Sequence, residues 1–388
     1  MWLTADEALR RLAVKPQTLY ASVSRGRIAA RPDPADPRRS LYRSDDVDRL
    51  AARPRGRPTS TAVAAEAITW GEPILPTAIS AVAHGRLSYR GRDAIELSRT
   101  ATLEQIAGLL WSANPPEAPA TANAPRPVLI ALAERAATDP PSAAQGQIAL
   151  RRGAGSVLAT VADALMGGGP GSLHERLARH LGRPDAADPL RRALVLLAEH
   201  ELNASTFAAR VTVSTGASLS SGALAGVAAL SGPRHGQAAS AIAALATDIG
   251  GDPDMAEGAL LDWLSEGRAV PGFGHRLYPA GDPRAAELLA HIVVPADFAT
   301  FALAAEGVTG ERPNVDFALA ALTVAYDLPA LAPLTIFTLG RAVGWLAHML
   351  EQAARGTLIR PRARYTGENL GASQDHADDP RPAGVAAS

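Results

Sequence analysis

A chain of 388 residues, 47% of them hydrophobic, has enough apolar material for one core of about 300 residues and a small extra module. It contains no cysteine, which excludes a disulfide framework, a thiolate nucleophile and a Cys-based zinc site, and leaves nine histidines for any imidazole chemistry. The net charge of −1 hides an asymmetry: up to Pro58 there are thirteen Lys/Arg against seven Asp/Glu, which leaves 25 basic and 32 acidic residues for the remainder, so a basic piece precedes an acidic body. No apolar run reaches the roughly 18 residues that a membrane span requires. The opening Met1-Trp-Leu-Thr-Ala-Asp-Glu7 lacks the basic-then-apolar layout of a signal peptide, so a soluble, cytoplasmic protein with no membrane partner is expected.

Thr4 is a plausible N-cap for a first helix with Ala8, Leu9 and Leu12 on one face. Pro16 opens a second helix that buries Leu19 and Val23 and is stopped by Arg25-Gly26-Arg27. A Pro/Asp-rich turn over residues 32–37 leads into a strand-like run, Arg38 to Arg43. A third helix starts at Ser44, with Val47 and Leu50 facing inward. Helix, turn, helix, basic wing and helix in this order resemble a winged helix-turn-helix of the excisionase/MerR type, over residues 1–52. Arg25, Arg27, Arg38, Arg39 and Arg43 would serve as phosphate contacts. Gln17, Thr18, Tyr20 and Ser22 offer little for base edges, so DNA recognition of modest specificity and a relic module serving dimer contacts remain alternatives. Residues 53–74 read as linker, the stretch Ala51 to Thr61 being rich in Arg, Pro and Gly. Ala/Leu-rich segments at 3.6 spacing then follow one another, and the body, residues 75–366, is expected to be all-α. Pro115 to Pro127 reads as an exposed loop and 367–388 as a flexible polar tail.

Polar residues interrupt the apolar helical sequence in four clusters: Glu199 to Ser205, Ser231 to Gly236, Pro271 to Tyr278 with Asp282-Pro-Arg284, and Arg312 to Asp316. A histidine on an apolar face is more often a packed core residue than a catalyst. Here, however, Gly-Pro-Arg-His235-Gly and Gly-Phe-Gly-His275 wrap each ring in glycines, which lets backbone approach a ligand and offers amide donors beside the imidazole.

These motifs, in this order, resemble citrate synthase and 2-methylcitrate synthase, over about residues 75–366. Gly85-Arg-Leu-Ser-Tyr-Arg-Gly91 with Asp93, Leu109-Leu-Trp111, Gly340-Arg-Ala-Val-Gly-Trp-Leu-Ala-His348 and Leu358-Ile-Arg-Pro-Arg-Ala-Arg364 are also similar to that family. The resemblance implies large and small helical domains, the small one near 234–325. It implies an acyltransferase that joins acetyl-CoA or propionyl-CoA, as co-substrate, to oxaloacetate, with no tightly bound cofactor. By position in the motifs, Asp316 would take a proton from the thioester methyl, His235 would donate to the enol oxygen and His275 to the keto oxygen of the second substrate. His200, Arg284, Arg341 and Arg360 would hold the carboxylates. Arg360 would reach across a homodimer interface, and Gly272, Phe273 and Gly274 would contact CoA. No metal is expected, since His84, His174, His180 and His291 lack neighbours at ligand spacing. The chain departs from the family in Pro279-Ala280-Gly281 after Tyr278, in Gln237 where a second glycine is common, and in the N-terminal module. That module supports an alternative, a DNA-binding regulator that uses the body as an acyl-CoA or oxoacid sensor. Another acyl donor or oxoacid is also open, because one methylene discriminates by only about 1 to 3 kcal/mol.

Overall fold

The computed structural model of the protein describes residues 2–14, 19, 23, 28–33, 40–51, 75–116, 123–232, 235, 238–250, 252–265 and 268–361. The chain forms two compact units, Met1–Pro76 and Thr77–Ser388.

In the first unit, strands β1 (Trp2–Leu3), β2 (Ala30–Pro32) and β3 (Ser40–Arg43) make an antiparallel sheet in the order β1-β3-β2. Tyr42 on the central strand lies opposite both Leu3 and Ala30. Helix α1 (Ala5–Leu12) starts with a capping box, in which Thr4 accepts from the Glu7 amide while the Glu7 carboxylate accepts from the Thr4 amide. With α2 (Ser44–Ala51) it closes a small core of Leu3, Ala8, Leu12, Leu19, Ile28, Tyr42 and Val47. The expected strand and third helix correspond to β3 and α2. Strands β1 and β2 escape a sequence reading because two or three residues show no alternation. The expected second helix lies outside the described residues apart from Leu19 and Val23, and so do Arg25, Arg27, Arg38, Arg39 and the linker. No described element therefore supplies the recognition helix of a winged helix-turn-helix.

The second unit is mainly helical: α3 (Ala94–Thr100), α4 (Leu103–Trp111), α5 (Val128–Thr138), α6 (Gln147–Met166), α7 (Leu173–His180), α8 (Ala187–Leu197), α9 (Ala204–Ser214), α10 (Leu219–Leu230), α11 (Ala238–Ile249), α12 (Pro253–Ser265), α13 (Pro283–Leu289), α14 (Ala296–Thr309), α15 (Val315–Ala325) and α16 (Ala332–Arg355). The all-α expectation is corrected at its start. Strands β4 (Ser80–Ala83), β5 (Arg86–Tyr89) and β6 (Arg92–Asp93) form an antiparallel sheet in chain order. His84 and Gly85 turn the hairpin with φ of 52° and 72°, the positive values a two-residue hairpin turn demands. The sheet is anchored by Tyr89, whose buried hydroxyl donates to the carbonyl of Val195 at 2.9 Å, at the end of α8. Of the expected loop and tail, residues 117–122 and 362–388 lie outside the described residues. Among the described residues, no helix is long and apolar enough to cross a membrane.

Two apolar cores fill this unit. The larger surrounds α16, which is buried from Ile336 to Leu350. A side chain at Gly344 would strike the carbonyl of Ala198 and Cγ of Glu199, so glycine lets α16 lie directly on the loop after α8. The smaller core gathers Ile242, Leu245, Phe273, Phe298, Phe301 and Phe317, side chains worth about 1.5 to 3 kcal/mol each on burial. Helix α15 belongs to both, with Val315, Ala318, Leu319 and Leu322 in the larger and Phe317, Ala320 and Ala321 in the smaller. Its first turn carries Asp316, which is thereby held where the two cores meet.

Candidate active site

One wall of the site is the loop between α8 and α9. Glu199 is fully buried. It accepts from the Ser80 hydroxyl, from the Glu201 amide at 2.8 Å and from His348 Nε2 at 3.0 Å. His348 Nδ1 takes a hydrogen from Arg210 at 3.0 Å, and since a guanidinium only donates, the imidazole proton sits on the Nε2 facing Glu199. Burial opposes the Glu199 charge, but His348 and Arg341 more than offset it and hold the carboxyl below its usual range. Glu201 accepts from the Val82 amide at 2.8 Å. The sheet that composition concealed thus clamps both residues flanking His200. His200 itself is 7% exposed and meets the Tyr278 hydroxyl at 3.0 Å. Burial, then the charges of Arg284 and Arg341, keep it well below its ordinary pKa.

The opposite wall comes from residues 271–284 and the start of α15. Gly274 donates its amide to Arg312 at 2.9 Å. Asn314 donates its own to Gly272 at 2.8 Å, and Phe273 bridges Pro313. This short antiparallel ladder fixes the His275 turn against the α15 N-terminus. Asn314 caps that helix by accepting from the amides of Asp316 and Phe317. Gly272 stands at φ 84°, and a Cβ there would lie 2.8 Å from Ile242, so only glycine fits the turn. His275 Nδ1 accepts from the Leu277 amide at 3.1 Å, which leaves the ring proton on Nε2. Burial and then the charge of Arg284 push His275 down to about 4. Asp316 is pushed the other way, to about 6, chiefly by burial. Its carboxylate accepts no hydrogen bond among the described residues, and the charges of Arg284 and Arg341, which favour its ionised form, only partly offset the burial.

Arg284 is 2% exposed and gives Nε and Nη2 to Asp282 at 3.0 and 2.7 Å. Asp282 also accepts from the Val315 amide at 3.1 Å. The Nε/Nη2 edge is therefore occupied by Asp282, and Arg284 retains both hydrogens of Nη1 and the second hydrogen of Nη2 for a ligand. Arg341, 1% exposed, is different. Its Nε donates to the Leu197 carbonyl at 2.8 Å, while its Nη1 is buried with no hydrogen-bond partner. Burial, partly offset by Glu199, lowers Arg341 to about 10. A buried guanidinium nitrogen without an acceptor is costly unless a ligand supplies one. Arg341 acts electrostatically on His200, His235 and Asp316, and Arg284 on His200, His275 and Asp316, which places all of them around one centre.

His235 completes the arrangement from the turn after α10. Its Nε2 lies 2.9 Å from Ser205 Oγ, its ring edge faces Phe337, and burial followed by the Arg341 charge pushes it down to about 4. Its neighbours Pro233, Arg234, Gly236 and Gln237 are outside the described residues. Ser205 accepts from Trp345 Nε1 at 3.1 Å and also meets Asn203 Oδ1 at 2.9 Å.

Residues 124–362 match the family model described as citrate synthase, C-terminal domain, which is more than half of the chain. The chain belongs to the citrate synthase family. It is 40% identical over 196 residues to citrate synthase 2 of Bacillus subtilis, covering 47% of this chain and 52% of that protein. It is 37% identical over 187 residues to 2-methylcitrate synthase of Mycobacterium tuberculosis, covering 45% and 47%. The chain thus spans about half the length of the curated relatives it matches. A solved structure of citrate synthase from Thermoplasma acidophilum, in ternary complex with carboxymethyl coenzyme A and oxaloacetate, is similar over 79% of this chain and 96% of that one, with 25% identity and a TM-score of 0.65.

In this citrate synthase family member, the remaining expected site residues play other parts: Arg360 lies apart, and residues 272–274 build the wall beneath His275. Arg360 is exposed beyond α16 and, among the described residues, makes no contact with the site residues of its own chain. Phe273 is 7% exposed, with its ring against Phe301 and Phe317 in the smaller core. It is a packing residue, and only its backbone is left to face CoA. Gly272 and Gly274 spend a carbonyl and an amide on the ladder to Arg312 and Asn314. Sequence reasoning missed Ser80, Tyr278 and Asp282 as contributors. Asp282 and Tyr278 stand inside a quoted motif, but Ser80 offers no signal, being 119 residues from Glu199.

Proposed function

We propose that the chain condenses a short acyl-CoA, acetyl-CoA or propionyl-CoA, with oxaloacetate to give citrate or 2-methylcitrate and free CoA. The observation that carries this reading is the raised Asp316 carboxyl set among neutral histidines and two buried arginines. A carboxylate near pH 6 is a better base than an ordinary one and is still ionised at neutral pH. In this reading Asp316 takes a methyl proton while His235 donates to the thioester oxygen, which gives the enol. The enol carbon attacks the keto carbon as the enol O–H returns its proton to His235, the carbonyl π electrons move to oxygen, and His275 supplies that oxygen's proton from Nε2, to be replaced by the proton that Asp316 took. Hydrolysis of the resulting thioester releases CoA. Arg341, through its free Nη1, and His200 would bind the oxoacid carboxylates, with Nη1 of Arg284 as a further donor. The smaller core, whose residues run from Ala239 to Ala321, would belong to the small domain expected near 234–325, and the larger core to the large domain.

Ser205 gives the His235 step a means of proton control. Its single hydrogen can go to Asn203 Oδ1 or to His235 Nε2, while Trp345 always donates to it. Donation to His235 leaves the ring proton on Nδ1, free for the enol oxygen. The test is thiol release from acetyl-CoA and from propionyl-CoA, each with oxaloacetate, comparing the unaltered chain with Asp316→Ala. Oxaloacetate-dependent release that vanishes in the variant supports the reading and ranks the donors. No release from folded protein refutes it.

Exposed Arg360 supports the expectation of a homodimer in which it reaches the partner's site. Mixing Arg360→Ala with Asp316→Ala chains should then restore part of the activity that each lacks alone. For residues 1–52, the excess of positive charge favours nucleic acid as a partner, and retention of a DNA fragment at low salt tests it.

A further inference from the structure

Tyr278 follows the His275 turn and is 2% exposed. Its hydroxyl lies 3.0 Å from His200 Nε2 and meets no other polar group among the described residues. A hydrogen bond between these atoms can run in either direction, and the balance of donors decides. If Nε2 carried the ring proton, the phenolic hydrogen would be buried without an acceptor, at the full cost of its desolvation. If the phenol donates, both groups are satisfied and the proton of the neutral imidazole sits on Nδ1. The guanidinium of Arg284 stands 5.4 Å from the centre of the Tyr278 ring, and a cation there makes the hydroxyl a stronger donor. His200 Nδ1 makes no hydrogen bond among the described residues and is not among the buried unpartnered atoms, so it is the nitrogen left open to a ligand.

We infer that Tyr278 is a positioning residue: by donating to Nε2 it fixes His200 as the Nδ1–H tautomer, so that His200 presents a hydrogen, not a lone pair, to a carboxylate of the oxoacid. This rests on the proposed oxoacid substrate for its purpose, though not for its geometry. Without the phenol the ring can change tautomer and turn a lone pair toward an anion.

The decisive measurement is nitrogen NMR of protein labelled with 15N-histidine, with the His200 signals assigned by their loss in His200→Asn. The unaltered chain is expected to show Nδ1 protonated and Nε2 bare, and Tyr278→Phe to lose that single tautomer. In calorimetry without acyl-CoA, Tyr278→Phe should bind oxaloacetate about ten- to a hundredfold more weakly, and in turnover the KM for acyl-CoA should not move. A protonated Nε2 in the unaltered chain, or an unchanged tautomer in Tyr278→Phe, overturns the inference. The tautomer is read without substrate, so a failure of oxaloacetate to bind the unaltered chain refutes the proposed function while the spectra still decide the role of Tyr278.

Discussion

His235 and His275 are both pushed to about 4 by burial and a nearby arginine, yet the regions that carry them hold them by different means. His275 leans on backbone: the Leu277 amide meets its Nδ1, and the ladder from Gly272 to Asn314 fixes the turn beneath it. His235 leans on a side chain, Ser205, which is itself held by Trp345 and Asn203. An amide donor never reverses, so the proton of His275 is locked on Nε2. A hydroxyl reverses by rotation, so the proton of His235 can move between its nitrogens. The first arrangement suits a group with one task, the second a group that gives a proton to an enol and takes it back.

The sharpest way to break this comparison is to remove each ring. His235→Ala and His275→Ala should each lower kcat by roughly a hundred- to ten-thousandfold, but they should differ in a partial reaction. Exchange of the acetyl-CoA methyl protons into deuterated water, with a non-reacting oxoacid analogue bound, should survive in His275→Ala and fail in His235→Ala. Equal exchange in both variants would end the division of roles. Next in size, Ser205→Ala should cost about ten- to a hundredfold in kcat, with oxaloacetate affinity unchanged; a loss confined to oxaloacetate binding would place Ser205 elsewhere in the mechanism.

The pH response of the two walls provides a finer measure. Asp316 must be ionised to act, so kcat/KM should be halved near pH 6 and fall about tenfold per unit below it. A steady-state profile flat from pH 7 to pH 5 would exclude it as the base. Stability carries the opposite sign. A carboxyl raised from 3.8 to about 6 in the fold contributes stability at low pH that is lost as pH rises through that window. Asp316→Asn should therefore gain up to about 3 kcal/mol at pH 7, seen as a higher Tm. The two histidines, lowered from 6.5 to about 4, contribute stability that is present above 6.5 and lost as pH falls toward 4. The Asp316→Asn chain should consequently become more acid-labile relative to its own stability at neutral pH.

How far the sequence could be read depended on the range of each interaction. Asp316 and Asn314, or Asp282 and Arg284, are two residues apart, so their capping and pairing are written in one motif. The hairpin at Ser80 to Tyr89 is supported by contacts with residues 195–201, more than a hundred positions away, and its short strands have no period of their own. Phe273 shows the other limit: the motif resemblance names the residue as a CoA contact, but only the structure shows that its ring packs against Phe301 and Phe317, which leaves the backbone for that role.

The sequence alone established that His200, His235, His275, Asp316, Arg284 and Arg341 stand in motifs that resemble one family. Only the tertiary structure decided which nitrogens of those side chains remain free. That depends on partners the chain brings from far away, Ser80 and His348 to Glu199 and Tyr278 to His200, because a buried polar atom is defined by what else is buried with it.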